Sequence, residues 1–168
     1  MMEKRRNVMA YPFLKEESLK CDYEIMTDTL SSMLGVCEAT SKHITEFQKL
    51  VELTYHMNGS IRAKMALSEE DLEFMISVHD KYLELVKDRT QKFVLPRGCL
   101  AASHMHVARA KAKEVARLMY KIYRTEQPVS PILLDYVNIL SNALFYMAMY
   151  ENMMEGIDEV EFISKSYV

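Results

Sequence analysis

The sequence predicts an all-α protein, a bundle of five long helices, and three observations carry that expectation. Only four glycines and four prolines occur in 168 residues, and they fall where helical periodicity breaks. Between those breaks apolar residues recur three and four apart, the spacing that gathers them on one helix face. From about Leu100 to Thr125 the pattern tightens into a heptad seam of Ala101, Met105, Ala108, Ala112, Val115, Met119 and Ile122.

Residues 1–20, with Pro12 among them, have no apolar stripe and are expected to form an arm or disordered lead-in. The helical domain then spans 21–156, and 157–168 is a C-terminal tail. A first helix from Asp22 to about Thr40 sets Met26, Leu30, Met33 and Leu34 on one side. Ser41 is expected to cap a second helix that carries Ile44, Phe47, Leu50, Val51 and Met57 and stops near Asn58-Gly59. The third starts at a capping box, Ser68-Glu-Glu-Asp71, with acidic residues in the first turn, and continues through Leu72, Met75, Tyr82, Leu83 and Val86.

The alanines of the fourth helix permit close approach by neighbours, which suits a central place in the bundle. Pro128 and Pro131 end it, with Ser130 as cap and Pro131 at the first position of the fifth helix. That helix, about Pro131 to Glu155, has two apolar seams. One is Leu133, Val137, Leu140, Leu144 and Met147; the other runs from Ile132 and Tyr136 through Ile139, Ala143, Tyr146 and Tyr150 to Met153. No Lys or Arg lies between Arg124 and Lys165, so the third stripe, Asp135, Asn138, Asn142, Phe145, Met149 and Asn152, is not an ordinary solvated face. It suggests a semi-polar pocket and a subunit contact, hence a homo-oligomer. The other reading is a large core helix with a few satisfied amides.

With 49% hydrophobic residues the chain can bury one core without disulfides or a structural metal. A net charge of −3 favours neither nucleic acid nor an anionic membrane surface, so any anion site must be local. Cys21, Cys37 and Cys99 are odd in number with no CxxC spacing, and fourteen methionines suit a reducing compartment, so a cytoplasmic protein is expected. The basic start is followed by no apolar run of signal-peptide length. No stretch is expected to approach the ~20 apolar residues of a membrane span.

The chemistry-bearing stretch is 93–117. An aromatic, β-like run ends at Pro96 and Gly98, and a helix then places Arg109, Lys113, Arg117, Lys121 and Arg124 on successive turns, with Glu114 interrupting the sign. Such a ladder can hold a polyphosphate, because arginine offers a planar fork to phosphate oxygens and lysine a point charge; it can equally be a solvated face paired with acidic neighbours. His104 and His106, two apart on a helix, diverge by about 200° and cannot clamp one ion, so no metal site is expected. Cys99 at a helix start reads as a buried cap residue in preference to a thiol made acidic by the amide dipoles there. Neither a Ser-His-Asp order, a Walker loop nor GxGxxG is present.

From about Asp22 to Asn152 the chain resembles the ATP:cob(I)alamin adenosyltransferases of the propanediol-utilisation type. The matching residues are Lys92-Phe-Val-Leu-Pro96 with Gly98, Ala101-Ala102, His106-Val-Ala-Arg109, and Asn138 with Leu140-Ser141 and Leu144-Phe145; Thr27-Asp28 through Ser32 with Leu34-Gly35 is a weaker match. The resemblance implies trimers of five-helix bundles with the active site between subunits, cobalamin and ATP as ligands, and Mg2+ with the nucleotide. It implies a reaction in which the cobalt of cob(I)alamin attacks the 5′ carbon of ATP and triphosphate leaves. It assigns Phe93 as the wedge that displaces the lower cobalt ligand, Asp28 and Lys113 as a supporting ion pair, and Arg109, Lys113, Arg117 and Asn138 to ATP. Phe93, Asn142 and Phe145 are assigned to cobalamin.

Departures cluster around the nucleotide. The family's double arginine is Lys113-Glu114 here, the glutamate before the final arginine is Ala116, and in the Asn-Arg-Leu-Ser-Asp motif Ile139 and Asn142 stand for arginine and aspartate. A later arginine is Met149, and the N-terminal Thr-Gly-Asp-Lys-Gly segment has no counterpart before Cys21. Arg5, Arg6, Lys15 or the ladder would have to replace its phosphate contacts. At ~4 Å and an effective dielectric of about 20, a carboxylate such as Glu114 would repel a phosphate charge by about 4 kcal/mol. Two functions fit: a divergent adenosyltransferase, or a relative that binds cobalamin as carrier, chaperone or sensor without ATP chemistry.

Overall fold

The computed structural model describes residues 13–90 and 92–166. Five α-helices follow one another: α1 Leu19–Thr40, α2 Phe47–Ser60, α3 Glu69–Val86, α4 Leu100–Thr125 and α5 Pro131–Met154. A 3-10 turn, Lys87–Arg89, extends α3. Among the described residues no strand forms; Val94 and Glu161 make an isolated antiparallel bridge. α5 packs between α3 and α4, and α1 lies against α2 and α4.

Every residue of the α4 seam is buried, and its alanines bring α1 and α5 close. The first α5 seam is wholly buried, while Ile132, Ile139, Tyr146 and Tyr150 of the second pack against the core from its margin. α5 also corrects one expectation: it is long and apolar enough, by length and composition, to cross a membrane. In this fold its apolar residues face two helical neighbours, and more than half of its most apolar window is buried inside the protein.

Two helix starts differ from the sequence expectation, and in both a residue distant in the chain is the reason. α1 begins at Leu19, three residues before Asp22, because Glu126 beyond the end of α4 accepts from Leu19 N at 2.8 Å and from the hydroxyl of its cap residue Ser18 at 2.7 Å. Residues 13–18 are ordered by Arg62, which donates to Glu16 (2.6 and 3.0 Å) and Glu24 (2.8 and 2.9 Å) and lies over the Phe13 ring. Residues 1–12, with Arg5 and Arg6, lie outside the described residues.

α2 starts at Phe47 rather than after Ser41. Ser41 Oγ does accept from Ile44 N at 3.2 Å, but it also donates to Glu151 on α5, and the Lys42 amide donates to the same carboxylate at 2.8 Å, which holds the connection against α5. The Ser68–Asp71 capping box forms as expected. Ser130 occupies the α5 cap position, yet its hydroxyl makes no cap bond; its carbonyl accepts from Leu133 N instead.

The loop before α4 is fixed by Asn152 near the end of α5. Its Oδ1 accepts from Cys99 N at 2.9 Å and its Nδ2 donates to Arg97 O at 3.0 Å. Gly98 between them has φ 149°, and a Cβ there would stand 1.9 Å from Asn152 Oδ1, so the position admits glycine only. After a left-handed Gly156 (φ 69°) the tail crosses back over the same loop. Leu95 N donates to Val160 O and Phe162 N to Phe93 O, both at 2.8 Å, while Arg89 pairs with Asp158 and Glu159.

Asn152→Ala is expected to lower unfolding free energy by about 1–2 kcal/mol, since it removes two part-buried hydrogen bonds, to Cys99 N and Arg97 O, and Gly98→Ala by at least as much; urea denaturation of both variants checks this.

Candidate functional site

The Phe93 loop, α4 and α5 enclose an open cleft of about 430 Å³ lined by Thr90, Lys92, Phe93, Val94, Arg109, Asn142, Phe145 and Tyr146. Phe93 is held by the tail through its carbonyl and by the turn through Pro96, yet its ring is 85% exposed. The ring therefore forms part of the cleft's surface and not of the buried core.

Opposite it, Phe145 and Tyr146 stack edge to face at 5.5 Å between centroids, and Tyr146 meets His79 of α3 in the same way at 5.3 Å. The Arg109 guanidinium lies 5.4 Å from the Phe145 ring centre, a cation–π arrangement. His106, one turn earlier on α4, is 5% exposed, with its ring 6.1 Å from Phe145. Two buried nitrogens here, His106 Nδ1 and Arg109 Nε, have no hydrogen-bond partner. Burial first, and the Arg109 charge second, push the His106 pKa down to about 4, so the imidazole is neutral at pH 7. Burial also lowers the pKa of Arg109, which remains a cation.

Phe93, Arg109, Asn142 and Phe145 thus meet in one cleft. Arg109, expected with the ATP residues, stands here rather than with Lys113 and Arg117, which are exposed further along α4 and make no ion pair among the described residues. Asn138 is exposed one turn from Asn142, its amide donating to Leu134 O at 2.7 Å. The third stripe of α5 therefore divides: Asp135, Asn138 and Asn142 face solvent, while Met149 and Asn152 are buried. Glu114 turns to Lys111 at 2.5 Å.

Asp28 lies elsewhere, in a groove of about 440 Å³ between α1 and α2, and accepts from Tyr55 OH at 2.9 Å. Within the chain it makes no pair with Lys113. Cys99 is the α4 cap, its Sγ accepting from Ala102 N, but half-exposed where the sequence suggested burial. His104 turns to Thr40 at 3.2 Å, and no group of three or more metal-ligating side chains converges among the described residues. His106, Tyr146 and Asn152 went unassigned in the sequence; His106 stood in the matching motif, which was the available signal.

Fold and cleft define a five-helix bundle with one open cleft lined by aromatic and cationic side chains. The cobalamin adenosyltransferase family model matches residues 18–151, and the chain belongs to that family. A corrinoid adenosyltransferase of Bacillus subtilis (strain 168) is 31% identical over 159 residues, 88% of this chain and 81% of the relative. Another from Citrobacter freundii is 30% identical over 135 residues, 74% and 76% of the two chains. In fold the chain is similar to a variant of the PduO-type ATP:corrinoid adenosyltransferase from Lactobacillus reuteri complexed with cobalamin and ATP, with TM-score 0.76 at 21% identity over 89% of this chain and 88% of that one.

Because His106 resists protonation in the folded state, the unfolded chain takes up that proton first as pH falls. Its contribution to stability is complete above about pH 6.5 and is lost between there and about pH 4. Unfolding free energy measured across that window should fall less steeply in His106→Gln than in the native protein.

Proposed function

We propose that the protein is an active ATP:corrinoid adenosyltransferase that moves the 5′-deoxyadenosyl group of ATP onto cob(I)alamin. The observation that carries this reading is Phe93, an exposed ring on a pinned loop, facing Arg109, Asn142 and Phe145 across a cleft. In the reaction the cobalt electron pair forms the bond to C5′, the C5′–O bond breaks, and triphosphate departs with its electrons.

The chain's own residues would act by placement and exclusion. Phe93 occupies the lower face of the corrin, where it keeps both the lower ligand and water from cobalt. Asn142 and Phe145 bound the ring on the α5 side, and Arg109 stands with them. Lys113 and Arg117, exposed and without internal partners, are available to the triphosphate together with Asn138. The turn of Glu114 toward Lys111 supports this, since it moves a carboxylate off that face. Mg2+ would arrive on the phosphates, as that ion usually keeps most of its waters and takes few protein ligands.

Asp28 and Lys113, apart within one chain, would pair across subunits of a homotrimer, in a cytoplasmic protein. The second reading, a cobalamin carrier without ATP chemistry, rests on Glu114 and the absent glycine segment. Anaerobic incubation of reduced cobalamin with Mg-ATP separates the two: adenosylcobalamin and triphosphate in equal amounts support the enzyme, and cobalamin bound without either product leaves the carrier.

Phe93→Ala should reduce kcat on the order of a hundredfold through loss of positioning, and it should abolish the absorbance change that reports loss of the lower ligand. The melting temperature should stay unchanged, because the ring is solvent-facing. Glu114→Arg should tighten Mg-ATP binding a few-fold by calorimetry, an effect held small by solvent screening.

A further inference from the structure

The Phe93 ring is exposed, so core packing does not set its place and its backbone must. From Lys92 to Leu95, among the described residues, every hydrogen bond that leaves the loop goes to the tail: Phe162 N donates to Phe93 O, Leu95 N to Val160 O and Lys92 Nζ to Glu161. The tail has little hold of its own. None of residues 157–163 is buried, and none joins the core cluster. A ribbon with a single bridge specifies its register weakly, and a slip of one residue turns each side chain to the opposite face.

Arg89 supplies the missing constraint from the 3-10 turn that ends α3. Its guanidinium holds three successive tail residues: Nη1 donates to Ile157 O at 3.2 Å and pairs with Glu159 Oε2 at 2.8 Å, and Nη2 donates to Asp158 Oδ1 at 3.0 Å. The Asp158 side chain is 96% exposed, so that bond adds little. The Glu159 side chain is only 10% exposed, and its other oxygen is buried without a hydrogen-bond partner, so this carboxylate depends on Arg89 for compensation. Sliding the tail by one residue moves these acceptors by about 3.3 Å and breaks the whole set. Arg89 lines no part of the cleft and can act there only through Phe93.

We propose that Arg89 is a positioning residue for adenosyl transfer: by fixing the register of the tail on the loop, it holds Phe93 where the ring excludes the lower cobalt ligand. This rests on the role proposed for Phe93 above and adds what sets it.

The full chain tests it in three forms, Arg89→Gln, Arg89→Lys and, as a control on the same turn, Lys87→Gln, which loses only a pair with Glu84. In Arg89→Gln, amide hydrogen exchange at Leu95 and Phe162 should quicken roughly tenfold or more, while Cys99 N, held by Asn152, should exchange as before. With cob(II)alamin and Mg-ATP, the absorbance change that reports loss of the lower ligand should shrink, and kcat should fall roughly tenfold at unchanged KM for Mg-ATP. Arg89→Lys should recover part of each, since a point charge replaces a fork, and Lys87→Gln should match the native chain. Native exchange at both tail-paired amides in Arg89→Gln overturns the proposal. So does quickened exchange with native kcat and absorbance, or a loss confined to KM for Mg-ATP. Should Arg89→Gln fail to fold, Glu159→Ala takes its place with the same expected losses, and native kcat in that variant equally overturns the proposal. A native chain that shows neither the absorbance change nor adenosylcobalamin would instead sink the function proposed above, whatever the tail amides do.

Discussion

Two consecutive buried polar residues at the end of α5, Glu151 and Asn152, hold the molecule's two critical connections. Each is 1% exposed. Glu151 accepts from Ser41 Oγ and Lys42 N, which ties the α1–α2 connection to the bundle. Asn152 takes Cys99 N and Arg97 O, which ties the loop before α4. Burying a carboxylate and an amide is costly unless their hydrogen bonds are met, so each residue demands that one loop conformation. Phe93 inherits its position from that demand: its loop ends at the Asn152 clamp and is closed by a tail that itself begins with Ile157 N donating to Asn152 O at 2.8 Å.

The cleft is supported in the opposite sense, by groups whose demands are left open. His106, Phe145, Tyr146 and His79 form a continuous series of ring contacts across α4, α5 and α3. This gives a stiff wall without hydrogen bonds that would compete for a ligand. Neutral His106 beneath Arg109 neither repels it strongly nor compensates it.

Much of this fold was legible in the sequence. The α4 seam and the Ser68–Asp71 box are local patterns, and they appear as read. The starts of α1 and α2 were not legible, because their hydrogen-bond partners, Glu126 and Glu151, lie about a hundred residues away and no periodicity encodes them. For the site, the motif around Phe93 and the α5 stripe pointed to Phe93, Asn142 and Phe145, which do meet. Arg109 was grouped with Lys113 and Arg117 by its spacing. Four residues turn a helix by about 400°, so each step drifts by about 40°, and in three dimensions Arg109 sits in the cleft while the other two point into solvent.

That drift also bears on the assembly proposed above. The cleft proposed for the corrinoid has walls from the Phe93 loop, α4 and α5 of one chain. The cationic face of α4 has none: Lys113 and Arg117 have solvent where a second wall would contain a triphosphate. Asp28 is in the converse position, a carboxylate at the edge of a groove with a phenol as its partner and, among the described residues, no cation. In the proposed trimer each deficit answers the other, since α1 of one copy against α4 of the next would bring Asp28 to Lys113 and enclose the nucleotide. Assembly would then be a condition of phosphate binding rather than of corrinoid binding. A subunit separated from its neighbours should accordingly retain the second and lose the first.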